Sequence, residues 1–269
     1  MTSSEDYAKL LASESSENDR LRLQHKHIKR YMGGRLVYTP TNLAQKGLRI
    51  LDVATSDGFW LQELKPSLTE AESCTLVGTD VTVDRTSGDI DDDIKVHQQD
   101  TMADWPQEWL GSFDLVHQRF ALLTAMDQQK TCISKLVSLV KPGGWLQLVE
   151  LEDTRSDDPN GPFAMQWDNQ LHEIAKSMGT TLNWPLKDML REAGLTRVGQ
   201  AVSAQLHGAA DPDPELQAET AHWFYGNAAQ FINMAGDEKS DYLASLQKEL
   251  ETRGAYTASR IVWGQKPAK

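Results

Sequence analysis

Cysteine is nearly absent: Cys74 and Cys132 are the only two in 269 residues. Their spacing offers neither a disulfide framework nor a metal-ligand pair, and no metal is expected. Both stand in apolar segments, where a lone thiol packs as a small buried hydrophobe. No apolar run approaches the roughly 20 residues needed to cross a bilayer. The first thirty residues carry Glu5, Asp6, Glu14, Glu17 and Asp19 in place of the basic start and apolar stretch of a secretory leader. A cytoplasmic protein without a membrane span is the expectation. Positive charge is scarce as well. Lys and Arg number 27 against 39 Asp and Glu, a net −12, whereas a surface lying along phosphates needs the opposite sign. No nucleic-acid partner is therefore expected. The one basic cluster, His25, Lys26, His27, Lys29 and Arg30, reads as the solvated side of a helix. Internal repeats and low-complexity tracts are missing too, and nothing in the chain speaks to oligomeric state.

What is present suits a globular protein with a sizeable core: 39% apolar and 25% charged residues. Residues 1–18 are polar and acidic without periodicity and read as a flexible start. The rest, 19–269, reads as a single domain. A weakly amphipathic helix over 17–31 ends at Gly33 and Gly34. Short apolar runs then follow at 48–53, 74–79, 94–97, 113–116 and 145–151, separated by helical segments, with Lys141-Pro142-Gly143-Gly144 as a turn before the last. This alternation implies a doubly wound parallel α/β sheet with helices on both faces. Beyond Glu152 it stops. Helices are expected at 163–178, at 185–193 (capped by Gly194) and around 222–231. Strands are expected near 197–205 and 255–264. The segments 155–190 and 211–236 read as helical inserts over the strand ends.

In such a sheet, ligands sit beyond the carboxyl ends of the strands. That rule selects Ala54 to Gly58, Asp80, Asp100 and His117. An acidic residue, Asp52, closes the first strand, and the small-residue turn after it lets backbone approach a ligand closely. Asp80 follows about 20 residues beyond Gly58, where a carboxylate accepts hydrogen bonds from ribose hydroxyls in dinucleotide folds. Taken alone, the loop could be an ordinary strand-to-helix turn, because Ala54 and Ser56 stand where a glycine-rich loop would have glycine.

The order QHKHIKRYMGGRL, LDVATSDGFW, VGTDVT, HQQD, FDLVHQRF and KPGGWLQLVELE, over roughly residues 17–200, resembles the class I S-adenosylmethionine-dependent methyltransferases. More narrowly, it is similar to the fungal secondary-metabolism branch of LaeA-like and gliotoxin-cluster N-methyltransferases. The resemblance implies a Rossmann-like, seven-stranded sheet with an antiparallel last strand, matching ASRIVWGQKP, and helical lid inserts. It implies S-adenosylmethionine as cofactor and a small molecule as substrate. By position, Asp52, Ala54, Ser56 and Gly58 would cradle the methionine part. Asp80, with Val81 and Thr82 beside it, would bind the ribose. Asp100, Thr101 and Met102 would read the adenine, His117 would lie below the sulfonium, and Tyr31 with Arg35 would close over from the first helix.

The chemistry needs an in-line nucleophile and exclusion of water. His117 is a candidate general base or a helix-capping ring. Glu150 and Glu152 could face the cleft to orient an amine or take a proton, or stand as plain solvated carboxylates. Arg119 could bind an acidic substrate or pair with Glu150. Trp167, His172, Trp184, His222, Trp223, Phe224 and Tyr225 would form either a lid for a flat apolar substrate or ordinary core. The leading expectation is methyl transfer to O, N or S of a small aromatic or natural-product-like metabolite. The altered loop favours, as an alternative, a methyltransferase fold repurposed as a cyclase or pericyclase. A non-enzymatic regulator and a nicotinamide dehydrogenase rank below these.

Overall fold

A computed structural model of the chain describes residues 17–82, 90–154 and 160–268, with side chains from Arg20 onward. The flexible start expected over 1–18 lies almost wholly outside that range. The elements, in chain order, are α1 (Glu17–Tyr31), β1 (Arg49–Val53), α2 (Phe59–Leu64), β2 (Thr75–Asp80), β3 (Ile94–Gln98), β4 (Phe113–Arg119), α3 (Gln129–Leu139) and β5 (Val140–Leu151). They continue with α4 (Pro162–Ser177), α5 (Leu186–Glu192), β6 (Thr196–His207), α6 (Gln217–Phe231), α7 (Gly236–Thr252) and β7 (Ala255–Gln265). The strands form one seven-stranded sheet in the order β3-β2-β1-β4-β5-β7-β6, the α/β Rossmann-like arrangement expected. β1 pairs in parallel with β2 and β4, β2 with β3, and β4 with β5. β7 runs the other way: Gly143 N–H donates to Lys266 O, while Glu152 N–H donates to Ala258 O.

The chain divides into two compact units. The sheet unit comprises Gly34–Leu151, Trp184–Val202 and Arg260–Lys269, and the helical unit Met1–Gly33, Glu152–Asn183 and Ser203–Ser259. In the sheet unit the central strands are buried on both faces, which is why they read as unbroken apolar runs. Ile50, Leu51, Val53, Leu115, Val116, Leu146 and Leu148 are inaccessible to solvent. The helical unit has its own core, in which Trp167, Phe224, Ala228, Tyr242, Leu246 and Leu250 pack together. Glu249 on α7 accepts the Ala164 and Phe163 N–H groups at 2.8 and 3.2 Å. A carboxylate thereby satisfies donors that the first turn of α4 cannot pair within itself.

Three expectations need correction. Lys141 to Gly144 is strand rather than turn. β5 begins at Val140, its register with β4 shifts between Phe113 and Leu115, and Lys266 pairs with both Gly143 and Gly144. Pro142 lacks an N–H, which an irregular stretch of ladder tolerates. Helix α7 was not anticipated, although Tyr242, Leu246 and Leu250 recur at helical spacing and are buried. The basic cluster on α1 is not a solvated face either. His25 and His27 are buried, and Arg30 is bound to Asp211 at 2.7 Å.

Candidate active site

The strand order places β1 between β2 and β4, so successive connections leave β1 in opposite directions. The loop after it stands at the topological switch point of the sheet. In that loop Ala54, Ser56 and Gly58 all have left-handed backbone, with φ of 56, 56 and 82°. Such a conformation costs a residue with a Cβ roughly 1–2 kcal/mol, and glycine nothing comparable. Two side-chain-bearing residues thus hold the backbone that glycine would hold.

Neighbouring hydrogen bonds offset that strain. Thr55, between the two strained residues, donates its N–H to Thr79 O at 2.9 Å and its hydroxyl to Asp52 Oδ2 at 2.6 Å. Ser56 N–H donates to Asp80 Oδ2 at 2.9 Å. A Cβ at Gly78 would come within 2.7 Å of Thr55 Cγ2, so the bare backbone of β2 is what lets Thr55 seat there. The other Asp52 oxygen lies 2.7 Å from His117 Nδ1. With a carboxylate as acceptor, that nitrogen is assigned the proton. His117 is in turn stacked flat beneath Trp60, centroids 3.9 Å apart and planes 4° from parallel.

Asp52 and His117 are register partners, and so are His117 and Gln147. These three polar residues therefore form one row across β1, β4 and β5. Gln147 closes it by accepting Tyr38 N–H at 2.7 Å and donating to Leu36 O at 2.8 Å. His117 thus lies within β4, at 1% exposure, and not beyond the strand end as the sequence suggested. Burial lowers the pKa of its imidazole, and the Asp52 carboxylate only partly opposes this.

Glu150 is also turned inward. Its Oε1 accepts Leu122 N–H at 3.0 Å. Burial lifts its carboxyl to about 8 against the pull of the Leu122 and Ala121 amides, so it is largely protonated at neutral pH. The solvated-carboxylate reading fails for Glu150 because the strand buries it. Glu152 is half-buried and falls in the helical unit. Burial also lowers the Arg119 guanidinium to about 10.

The groups that face outward are those after β2 and β3. Asp80 is half-buried and accepts Thr82 N–H through Oδ1 at 3.1 Å. A carboxylate has about four acceptor sites, so capacity remains beyond the Ser56 and Thr82 amides. Next to it Val81 is 60% exposed, an apolar side chain offered to solvent beside an acid. Asp100 is exposed and accepts Met102 N–H at 2.8 Å, with Thr101 and Met102 half-buried. Ser56 Oγ is buried with no hydrogen-bond partner among the described residues. An orphaned hydroxyl, a spare carboxylate and an uncovered apolar side chain together fit a nucleoside with a polar tail.

Tyr31 is placed in the helical unit, its hydroxyl donated to Asp211 Oδ2 at 2.9 Å. Arg35 belongs to the sheet unit and stacks over Tyr38 at 4.6 Å. Trp184 is buried in the sheet unit, whereas Trp167, Trp223 and Phe224 belong to the helical core. Sequence reasoning missed Trp60, Gly78 and Gln147, and took Thr55 only as part of the loop. The in-register row becomes legible once β1, β4 and β5 are assumed adjacent.

This is the fold and switch-point loop of a class I methyltransferase, and comparison with known proteins agrees. A methyltransferase-domain family matches residues 23–199, and the chain belongs to that family, within its fungal secondary-metabolism branch. It is 31% identical to N-methyltransferase gliN of Aspergillus fumigatus over 96% of this chain and 96% of that one. Among solved structures, it matches a methyltransferase of Haloferax volcanii in complex with the Trm112 activator (TM-score 0.55, 16% identity, 96% and 97% of the two chains). It also matches Haemonchus contortus phosphoethanolamine N-methyltransferase 2, bound to phosphomonomethylethanolamine and S-adenosylhomocysteine (TM-score 0.50, 14% identity, 94% and 53%). No helix of the described residues is long and apolar enough to cross a membrane.

Proposed function

We propose that this methyltransferase uses S-adenosylmethionine to methylate a nitrogen of a small, ring-bearing natural product. One observation carries the cofactor assignment: left-handed backbone at Ala54, Ser56 and Gly58, at the switch point and flanked by Asp80 and Asp100. Ala54 and Ser56 keep the backbone conformation of glycine, so the altered loop gives no ground for preferring a repurposed cyclase. When bound, the cofactor supplies an electrophilic methyl group on a sulfonium.

The chain's residues supply the rest. Thr55, locked to Asp52 and Thr79, would hold the loop open to the cofactor's amino-acid tail, with Ser56 Oγ as an added polar contact. Asp80 would accept the ribose hydroxyls through its remaining lone pairs. Val81 and Met102 would flank the adenine, and Asp100 with Thr101 would take its polar edge. His117 and Glu150 are positioning residues in this reading. The first fixes Asp52 and the second fixes the backbone at Leu122. A neutral amine acceptor needs no general base from either. The nitrogen assignment is supported by the names of the gliN and Haemonchus enzymes. The net charge of −12 supports a small molecule over nucleic acid.

Calorimetric titration with S-adenosylmethionine and S-adenosylhomocysteine tests the reading. Micromolar binding of both, lost in Asp80→Ala, is expected. A folded protein that binds neither at millimolar concentration would overturn it.

A further inference from the structure

Three side chains of the metal-ligating kind converge within the helical unit. Asp168 and His172 stand four residues apart on α4, which sets them one above the other on a single face of the helix. Asp153 comes from elsewhere in the chain, two residues past the end of β5. One ligand atom of each lies within 4.8 Å of the other two. His172 Nε2 is 3.6 Å from Asp153 Oδ1 and 4.0 Å from Asp168 Oδ1. Both separations exceed a hydrogen bond. They are close to the roughly 3.4 Å between two donor atoms that each lie about 2.1 Å from one tetrahedral ion.

The cluster is also enclosed. The side chains of His172, Asp168 and Asp153 are 11%, 13% and 18% exposed, and the His172 Nε2 and Asp168 Oδ2 atoms are shut off from solvent. Two carboxylates held this close together and largely out of water repel each other unless a cation stands between them. An imidazolium would do this best at the 2.7–2.9 Å of a charge-assisted hydrogen bond, which neither carboxylate reaches. A divalent ion at the centre contacts all three at once. The donor set selects the ion. Magnesium and calcium take oxygen ligands, and copper(I) takes sulfur. One imidazole nitrogen with two carboxylate oxygens suits zinc, and three protein ligands leave its fourth position to water or another small donor.

We propose that Asp153, Asp168 and His172 bind a zinc ion, which fastens the segment at Asp153 to the face of α4. The two cysteines gave no ground for a metal in the sequence. These three residues do, because the fold adds Asp153 to a pair whose helical spacing is unremarkable by itself. The assignment does not rest on the methyltransferase reading.

The test uses the full chain, stripped of metal with a chelator, and zinc chloride as the probe. Calorimetry should show one equivalent bound with micromolar or tighter affinity, and the thermal midpoint should rise with zinc but not with the same concentration of magnesium. His172→Ala and Asp168→Asn should each weaken binding by about a hundredfold or more, since losing a group that merely orients a ligand already costs about 10–100-fold. Should either variant fail to fold, cobalt(II) on the wild-type chain gives a second readout: it should shift the His172 ring resonances in the NMR spectrum, and one equivalent of zinc should reverse the shift. Absence of saturable zinc binding, binding that survives both substitutions, or equal affinity for magnesium would overturn the proposal and leave the cluster a plain ion pair.

Discussion

The two units each bury an imidazole and treat it in opposite ways. His117 in the sheet unit has Asp52 on one nitrogen and Trp60 across its face. His27 in the helical unit is just as enclosed by aromatic rings, yet its Nε2 meets no partner among the described residues. Burial depresses the pKa of both rings, so burial alone does not distinguish them. The partner does. A buried ring with a carboxylate is tied to its neighbours, here to the strand that leads into the strained loop, whereas a buried ring without one contributes packing and leaves a polar atom unpaired.

The sharpest way to break this contrast is to remove the partner from His117. Asp52→Ala leaves both His117 Nδ1 and the Thr55 hydroxyl unpaired, and should cost about 4 kcal/mol in urea unfolding. A loss below about 1 kcal/mol would mean that the row across β1, β4 and β5 contributes no rigidity. Glu150 sharpens the comparison from the acid side. Its folded-state pKa of about 8 lies above the ordinary 4.5, so its contribution is fully present below about 4.5 and is lost as pH rises towards 8. Glu150→Gln, which mimics the protonated form, should be about 5 kcal/mol more stable than the parent at pH 9 and near parity at pH 4. Identical pH–stability curves would show that Glu150 is not held protonated.

In the helical unit, Arg30→Met strands the buried Asp211, whose carboxylate sits at about 2. Burial would raise it, but Arg30, the Asp213 amide and Tyr31 outweigh burial. A loss of about 2 kcal/mol at pH 7 is expected. The stability that Asp211 contributes above pH 3.8, and loses as pH falls towards 2, should shrink in the variant. The smallest effect belongs to Ala54→Gly. Relief of left-handed strain is largely balanced by glycine's freedom in the unfolded chain. The thermal midpoint should therefore rise by the equivalent of about 1 kcal/mol or less, with S-adenosylhomocysteine binding kept or tightened. A clear loss of stability would contradict the left-handed conformation at that position.

Much of the sheet unit is legible in the sequence alone. Its inner strands are apolar along their whole length because both faces are covered, and the acids Asp52, Asp80 and Asp100 punctuate them where the chain leaves the sheet. Local patterning was misleading where a distant partner overrides it. Lys141-Pro142-Gly143-Gly144 has turn chemistry, but the returning β7 offers Lys266 to Gly143 and Gly144 and draws the segment into the sheet. The α1 cluster looks basic and solvated, yet Asp211 claims Arg30 from 181 residues away. Helix α7 has few apolar residues, and its Glu249 finds a role only against the start of α4.

The sequence by itself determined the alternation of β1 to β5 with the helices between them, the switch-point loop and the acids around it, because these depend on periodicity and turn chemistry within a few residues. Tertiary structure decided which polar residues are paired, and with what. His117 and Glu150 became supports rather than exposed groups once β4 and β5 were buried among their neighbours. Ala54 and Ser56 could take glycine's conformation because Thr55 is anchored to β1 and β2. Those outcomes depend on partners brought together by the fold, and pairing over such separations leaves no local trace in the chain.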